Sequence, residues 1–292
     1  MVERICISIN NICNLKCRYC HFLEKNSVEN TKKLGYKPMD IFKILDNVKQ
    51  YVGHYKHIFK IGFIGNGEPL LNINDIKKYL LYIKDYENIR TYTITNGTID
   101  LKDSDWAFLE NHNMNVGFSL DGYKELHNLY RCGSFDRVMK NIQKYKNLTR
   151  RYPTLNATIG AESLENKEKI ISFFAHFDTK ITFSRMIGKY GISLEQYREF
   201  MEFAQKRLSV RNGGFDCTMY GGLCGVGVNN YFFSNGKVYL CGNCIDLPHI
   251  KNSDTGFFEL EKIALKFNRS KCYKEILENQ SICKNYQKVG IL

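Results

Sequence analysis

Ile5, Ile7 and Ile9 alternate with Cys6, Ser8 and Asn10, the period-2 pattern of a strand with one buried face. The rhythm then changes. Ile41, Ile44, Leu45, Val48 and Val52 recur at intervals of three and four, which predicts a helix. Residues 57–65 read as a second strand, and Ile73, Ile76, Leu80 and Ile83 as the apolar stripe of a second helix. Four more strands are predicted at 90–95, 115–120, 155–159 and 180–187, alternating with helical segments near 104–112, 134–148, 166–177 and 193–208. Six strand–helix units in series predict an α/β fold of parallel strands with helices outside, either a partial barrel or a doubly wound sheet. Near residue 210 the alternation stops. In the Gly- and Cys-rich stretch beyond it, 228–233 and 237–240 flank Ser234-Asn235-Gly236, a hairpin signal. Two domains are therefore expected, 1–210 and 211–292.

In such architectures the loops at the carboxyl ends of the strands carry the chemistry. The first of these loops holds Cys13-Asn14-Leu15-Lys16-Cys17-Arg18-Tyr19-Cys20, a C-x3-C-x2-C spacing. Three thiolates on one short loop can cap three irons of a [4Fe–4S] cube and leave the fourth open to a small molecule. Zinc instead favours four ligands in two close pairs. A disulfide framework suits short secreted chains, whereas this one has 292 residues, an odd count of 11 Cys and no secretory segment ahead of its first strand.

The Cys run resembles the radical S-adenosylmethionine (SAM) superfamily, and further segments resemble that family in order along 5–190. Gly65-Asn66-Gly67-Glu68-Pro69 follows strand two and is similar to the family's GGE segment. Thr95-Asn96-Gly97-Thr98 follows strand three, Ser119-Leu120-Asp121-Gly122 strand four, and Thr158-Ile159-Gly160-Ala161-Glu162 closes strand five. The resemblance implies a partial (β/α)6 barrel in which SAM chelates the open iron and is cleaved to a 5′-deoxyadenosyl radical. It implies Cys13, Cys17 and Cys20 as cluster ligands, and Glu68 with the Gly65, Asn66 and Gly67 backbone at the methionyl ammonium. Ser119 and Asp121 are implied at the ribose and Arg131 at the carboxylate, with Tyr19 and Ile159 near adenine. Arg131 is preferred to Arg137, which opens a helical run.

The stretch Cys224-x11-Gly236-x4-Cys241 resembles the opening of SPASM and Twitch extensions, which bind auxiliary Fe–S clusters. The further C-x2-C-x5-C-x3-C run of a full SPASM extension is missing, so a short Twitch-like module with one auxiliary [4Fe–4S] cluster is expected. Cys217, Cys224, Cys241, Cys244, Cys272 and Cys283 are six candidates for four places; Cys217, Cys224, Cys241, Cys244 and Cys283 lead. A structural zinc site would draw on the same residue types.

A net charge of +12 favours acidic partners. No basic arm or RNA-binding motif is evident, so no nucleic-acid partner is expected, and no apolar run reaches the length of a membrane span. Oxygen-labile clusters and many thiols point to a reducing cytoplasm, with flavodoxin or ferredoxin as the electron donor. No leader-binding winged helix is expected ahead of strand one. Two enzyme classes fit. One modifies a ribosomally made precursor peptide by Cα epimerisation or by thioether, ether or C–C crosslinking. The other dehydrogenates or epimerises a small molecule such as an aminosugar. A non-enzymatic Fe–S or zinc protein is the third reading, which would need neither the Gly-Glu segment nor the ribose pair. The surplus of Cys leans toward peptide epimerisation, with Cys244 and Cys132 as candidate hydrogen-atom donors and Cys6, inside strand one, a poorer one.

Overall fold

The computed structural model of the chain describes residues 1–20, 38–186, 188–210, 229–242, 245 and 249–268. The first part runs β1 (Arg4–Ile7), α1 (Ile41–Tyr55), β2 (Phe59–Phe63), α2 (Ile73–Tyr82), β3 (Ile89–Thr95), α3 (Asp103–Asn111) and β4 (Asn115–Ser119). It continues with α4 (Lys124–Tyr130), α5 (Phe135–Thr149), β5 (Thr154–Ile159), α6 (Ala161–Glu165), α7 (Lys167–Phe174), β6 (Ile181–Arg185) and α8 (Leu194–Gln205). After residue 229 come β7 (Asn230–Ser234), β8 (Lys237–Tyr239), β9 (Lys251–Asn252) and α9 (Phe257–Asn268). The strands form one sheet in the order β6-β5-β4-β3-β2-β1-β7-β8-β9. Every pairing from β6 through to β7 is parallel, and β8 and β9 add antiparallel. This is the α/β partial barrel with its helices outside.

The two faces of the sheet differ in chemistry. Toward the helices it presents an aromatic and aliphatic layer: Phe63 stacks on Tyr79 of α2 at 5.8 Å, Phe118 on Trp106 of α3 at 5.7 Å, and Phe183 meets Phe200 of α8 at 5.1 Å. The opposite, inner face carries Cys6, Gly62, Tyr92, Asn115, Gly117, Asn156 and Thr158, most of them half-buried. Two neighbours lie flat over glycines there. A Cβ on Gly62 would stand 2.5 Å from the Tyr92 ring, and one on Gly117 2.5 Å from Asn156 Nδ2. The Tyr92 hydroxyl reaches Cys6 Sγ at 3.4 Å.

The first strand departs from its expected pattern. It ends at Ile7, and Ser8 and Asn10 are buried like Ile5 and Ile7, because their side chains bond into the following loops: Ser8 Oγ accepts from the Asn66 N–H at 3.1 Å and Asn10 Nδ2 donates to the Glu68 carbonyl at 3.0 Å. The hairpin signal at 234–236 is present as a two-residue turn with Asn235 at φ 51° and Gly236 at φ 74°, the positive angles that a tight β-turn requires. Its first strand, β7, pairs with β1, so the hairpin extends the barrel sheet. The expected boundary at 210/211 adjoins 211–228, which lies outside the described residues. α4, α6, β9 and α9 have no counterpart in the sequence expectations.

Candidate active site

The loop that carries Cys13, Cys17 and Cys20 is gripped from four sides. From the β2 side, the Glu68 N–H donates to the Ile12 carbonyl at 2.8 Å, and Asn10 Nδ2 donates to the Glu68 carbonyl at 3.0 Å. Gly67 permits that approach, since a Cβ there would stand 2.0 Å from Asn10 Oδ1 and 2.4 Å from the Ile12 carbonyl. From the end of β3, Asn96 Nδ2 donates to Asn14 Oδ1 at 2.8 Å and lies 3.7 Å from Cys13 Sγ. Asn14 Nδ2 in turn donates to Thr98 Oγ1 at 2.8 Å. From the end of α4, the Tyr130 carbonyl accepts from the Arg18 N–H at 2.8 Å, and Cys132 Sγ–H donates to the Lys16 carbonyl at 3.0 Å. Finally, Asn11 Nδ2 donates to Asn235 Oδ1 at 3.0 Å in the β7–β8 turn, while Asn66 Nδ2 donates to Ser234 Oγ at 3.1 Å.

Two buried acids flank this loop. The Glu68 carboxylate accepts from the Leu70 N–H at 3.0 Å, the Thr95 hydroxyl at 2.7 Å and the Asn96 N–H at 2.7 Å. Burial raises its pKa above the usual carboxylate value, and these donors only partly offset that. Among the described residues no Lys or Arg forms an ion pair with it. Asp121 differs. Its Oδ2 accepts from Arg131 Nε at 2.7 Å and from the Tyr19 hydroxyl at 2.8 Å, and its Oδ1 from the Thr158 N–H at 3.0 Å. Burial works against the Arg131 charge, yet Asp121, Tyr19 and Cys17 raise its pKa on balance, so the cation is kept. The Arg131 guanidinium carbon lies 5.4 Å from the centre of the Tyr19 ring.

His127 on α4 was not anticipated from the sequence. It is fully buried, accepts from the Asp121 N–H through Nδ1 at 3.3 Å, and sets Nε2 3.0 Å from Ser134 Oγ. Burial lowers its pKa to about 4, so the ring is neutral. Asn96 was noted only as part of a turn. Neither residue sits in a pattern that periodicity or ligand spacing detects. A single His at position i+6 from Asp121 carries no signal until α4 is known to fold back over it.

The cysteines divide unevenly. Cys13 is exposed and Cys17 and Cys20 are half-buried; burial pushes the Cys17 thiol up to about 12. Metal coordination deprotonates such a thiol outright. Among the described residues no three His, Cys, Asp or Glu side chains converge on one point, as a single metal ion would require. A [4Fe–4S] cube makes a different demand, since its three thiolates bind three separate irons. The donor set fits that group: three thiols on one loop, the glycine contact at Gly67, and a buried Asn66 Oδ1 that no donor among the described residues meets. Ser119, at the end of β4, is buried on the inner face, Ile159, at the end of β5, turns its side chain into the core on the helix-facing side, and Arg137 on α5 is exposed. Cys132 is exposed at a left-handed corner with φ 55°, and Cys241 packs half-buried at the core edge. Cys217, Cys224, Cys244, Cys272 and Cys283 lie outside the described residues.

Comparison with known proteins adds a family match, two relatives and two solved structures. The sequence profile of the radical SAM superfamily matches residues 7–174. The cysteine-type anaerobic sulfatase-maturating enzyme of Clostridium novyi is 25% identical over 308 residues, covering 94% of this chain and 78% of that protein. Its counterpart from Clostridium perfringens is 29% identical over 211 residues, covering 65% of this chain and 55% of that protein. Among solved structures, native anSMEcpe with bound AdoMet superposes with a TM-score of 0.72 at 20% identity, covering 99% of this chain and 95% of that one. SuiB of Streptococcus suis bound to its precursor peptide SuiA gives 0.67 at 17% identity, covering 95% and 67%. At those identities the structural likeness establishes the fold.

Proposed function

The chain belongs to the radical SAM superfamily, and from that premise we propose that it abstracts a hydrogen atom from a ribosomally made precursor peptide and epimerises a Cα. Thioether or C–C crosslinking is the second outcome of the same first step. The observation that carries a peptide substrate is the inner face of the sheet, where Tyr92, Asn115, Asn156 and Thr158 are polar and only half-buried. The likeness over 94% of the chain to an enzyme named for maturing sulfatases supports a protein substrate.

Cys13, Cys17 and Cys20 would hold the cluster. With SAM bound, cluster and cofactor supply a one-electron reductive cleavage that yields a 5′-deoxyadenosyl radical. The protein's own residues hold the cofactor in place. Glu68 is a buried carboxylate whose direct hydrogen-bond donors are all neutral, with the Arg131 charge acting only from a distance, so an ammonium group beside it is favoured. Asn66 Oδ1 offers a free acceptor to the same group. The Asp121 carboxylate already takes three donors of the roughly four it can accept, which leaves room for one ribose hydroxyl. Arg131 commits Nε to Asp121 and keeps the rest of its fork for a carboxylate. Tyr19 and Ser119 border the same space, and the Ile159 main chain at the end of β5 would meet the adenine. An auxiliary cluster on Cys241 and partners from 217–283, a one-electron donor such as flavodoxin or ferredoxin, and a reducing cytoplasm complete the proposal.

A short reading frame beside the gene for this chain would supply the candidate peptide, and its turnover in deuterated water tests the proposal. Epimerisation returns a solvent-derived hydrogen from a thiol, so the product should be about one dalton heavier at the modified residue. Cys132→Ala or Cys244→Ala should then form 5′-deoxyadenosine without epimerised product. A product about two daltons lighter, without deuterium, would replace epimerisation by crosslinking or dehydrogenation.

A further inference from the structure

The side-chain amides of Asn115 and Asn156, on the inner face of the sheet, have no hydrogen-bond partner among the described residues. Asn115 opens β4 opposite Tyr92 of β3, and Asn156 lies in β5 opposite Ser119. Val116 and Phe118, which alternate with Asn115 along β4, are fully buried, and Phe118 stacks on Trp106 of α3. Asn115 and Gly117 therefore face away from the helices. Both asparagines are half-buried. A polar group drawn part way out of water without a partner costs stability, so an amide kept in that state calls for an explanation.

Gly117 decides where the Asn156 amide lies. A Cβ on Gly117 would stand 2.5 Å from Asn156 Nδ2, 3.1 Å from Thr154 Oγ1 and 3.6 Å from Ile94 Cγ1. The amide is thus laid across β4 over the bare glycine, with half-buried Ile94 beside it. The cofactor residues are one step further along the strands. Two residues after Asn156, the Thr158 N–H donates to Asp121 Oδ1 at 3.0 Å, and Asp121 also holds Tyr19 and Arg131. Such a step is about 7 Å. Asn156 is therefore the inner-face residue of β5 that precedes the proposed ribose pocket.

We infer that Asn156 reads a main-chain peptide unit of the substrate and Asn115 the next unit that faces the same way, an inference that rests on the peptide reading above. An Asn side chain offers a carbonyl and an NH₂ group, the complement of a peptide unit with its one N–H and one C=O. The spacing agrees. Asn115 and Gly117 are two residues apart on β4, about 7 Å, and an extended chain repeats its same-facing N–H and C=O groups at that interval. Ile94 and the Tyr92 ring, laid flat over Gly62, add an apolar floor. Recognition through the main chain fixes the register of the reacting residue against the cofactor and leaves its side chain free to vary. An aminosugar carries hydroxyls and an ammonium but no amide repeated at that interval, so an extended peptide fits better.

The test uses the full chain and two fluorescein-labelled probes followed by anisotropy: hexa-alanine, and hexalactate, in which an ester oxygen replaces every backbone N–H. Hexa-alanine should bind about three- to ten-fold more tightly, the worth of a neutral hydrogen bond or two. Asn156→Leu, close in size and unable to hydrogen-bond, should weaken hexa-alanine by a similar factor and shrink the difference between the probes. Asn156→Ala should do the same, which keeps the comparison open if the Leu variant melts early. Asn147→Leu, on the exposed side of α5, should change nothing. Equal binding of the two probes by the native chain, or binding of neither, overturns the inference. A preference that survives both Asn156 variants overturns it as well. A preference that depends on Asn156 with no precursor peptide turned over would sink only the peptide reading. Turnover indifferent to an ester beside the reacting residue would sink only the role of Asn156.

Discussion

Single residues around Asp121 carry a pH signature. His127 is neutral in the folded protein, with its pKa lowered to about 4 by burial, whereas in an unfolded chain it titrates near 6.5. A base whose folded pKa lies below its unfolded value adds stability that is fully present above about pH 6.5 and is lost as pH falls toward 4. The shift is worth roughly 3 kcal/mol over that window. Urea denaturation from pH 7 to 4.5 should therefore show a steeper loss for the native chain than for His127→Gln, which cannot titrate. Parallel curves would mean that His127 protonates as freely in the folded state as in the unfolded one. The same residue shows where sequence reading stops. Cys13, Cys17, Cys20, Glu68 and Asp121 were legible because their residue types and spacing are chemically demanding. His127 and Asn96 were not, because each acts through hydrogen bonds that only the fold brings within reach, such as those across 6 and 82 positions to Asp121 and Asn14.

Among the elements, strands and long helices could be read from their periodicity, as β3 and α5 illustrate: alternation for Ile89–Thr95, a wide apolar stripe for Phe135–Thr149. α4 escaped because a buried His interrupts the apolar series Leu126 and Tyr130. The pairing of β7 with β1 escaped because a hairpin signal says nothing about which outside strand it will meet. That pairing places the β7–β8 turn against the site, where Ser234 and Asn235 hold Asn66 and Asn11. Ser234→Ala removes the acceptor of a buried amide, at a cost of about 1–3 kcal/mol. The Gly65–Glu68 turn should loosen and SAM affinity, measured by calorimetry, should fall up to about ten-fold. An unchanged dissociation constant would mean that the turn keeps its shape without the hairpin.

At the scale of the whole molecule the charge, the sheet and the thiols combine. Anaerobic reconstitution should load about eight irons as two cubes, and the Cys13→Ala, Cys17→Ala, Cys20→Ala triple variant about four, with no SAM cleavage. A triple variant that still produces 5′-deoxyadenosine would remove these three residues from the cluster. A native chain that binds about four irons would remove the auxiliary cluster. The position of β1 in the sheet has a consequence for biosynthesis as well. Asn11 and Asn235, which meet beside the thiols, are 224 positions apart in the chain. At a ribosomal pace of about 5–20 residues per second, roughly ten to forty-five seconds separate their synthesis. During that interval the nascent polypeptide already exposes its three thiols but lacks one neighbouring strand and one of the four grips on the loop. The native clasp around the three-thiol loop therefore closes only after Asn235 has left the ribosome.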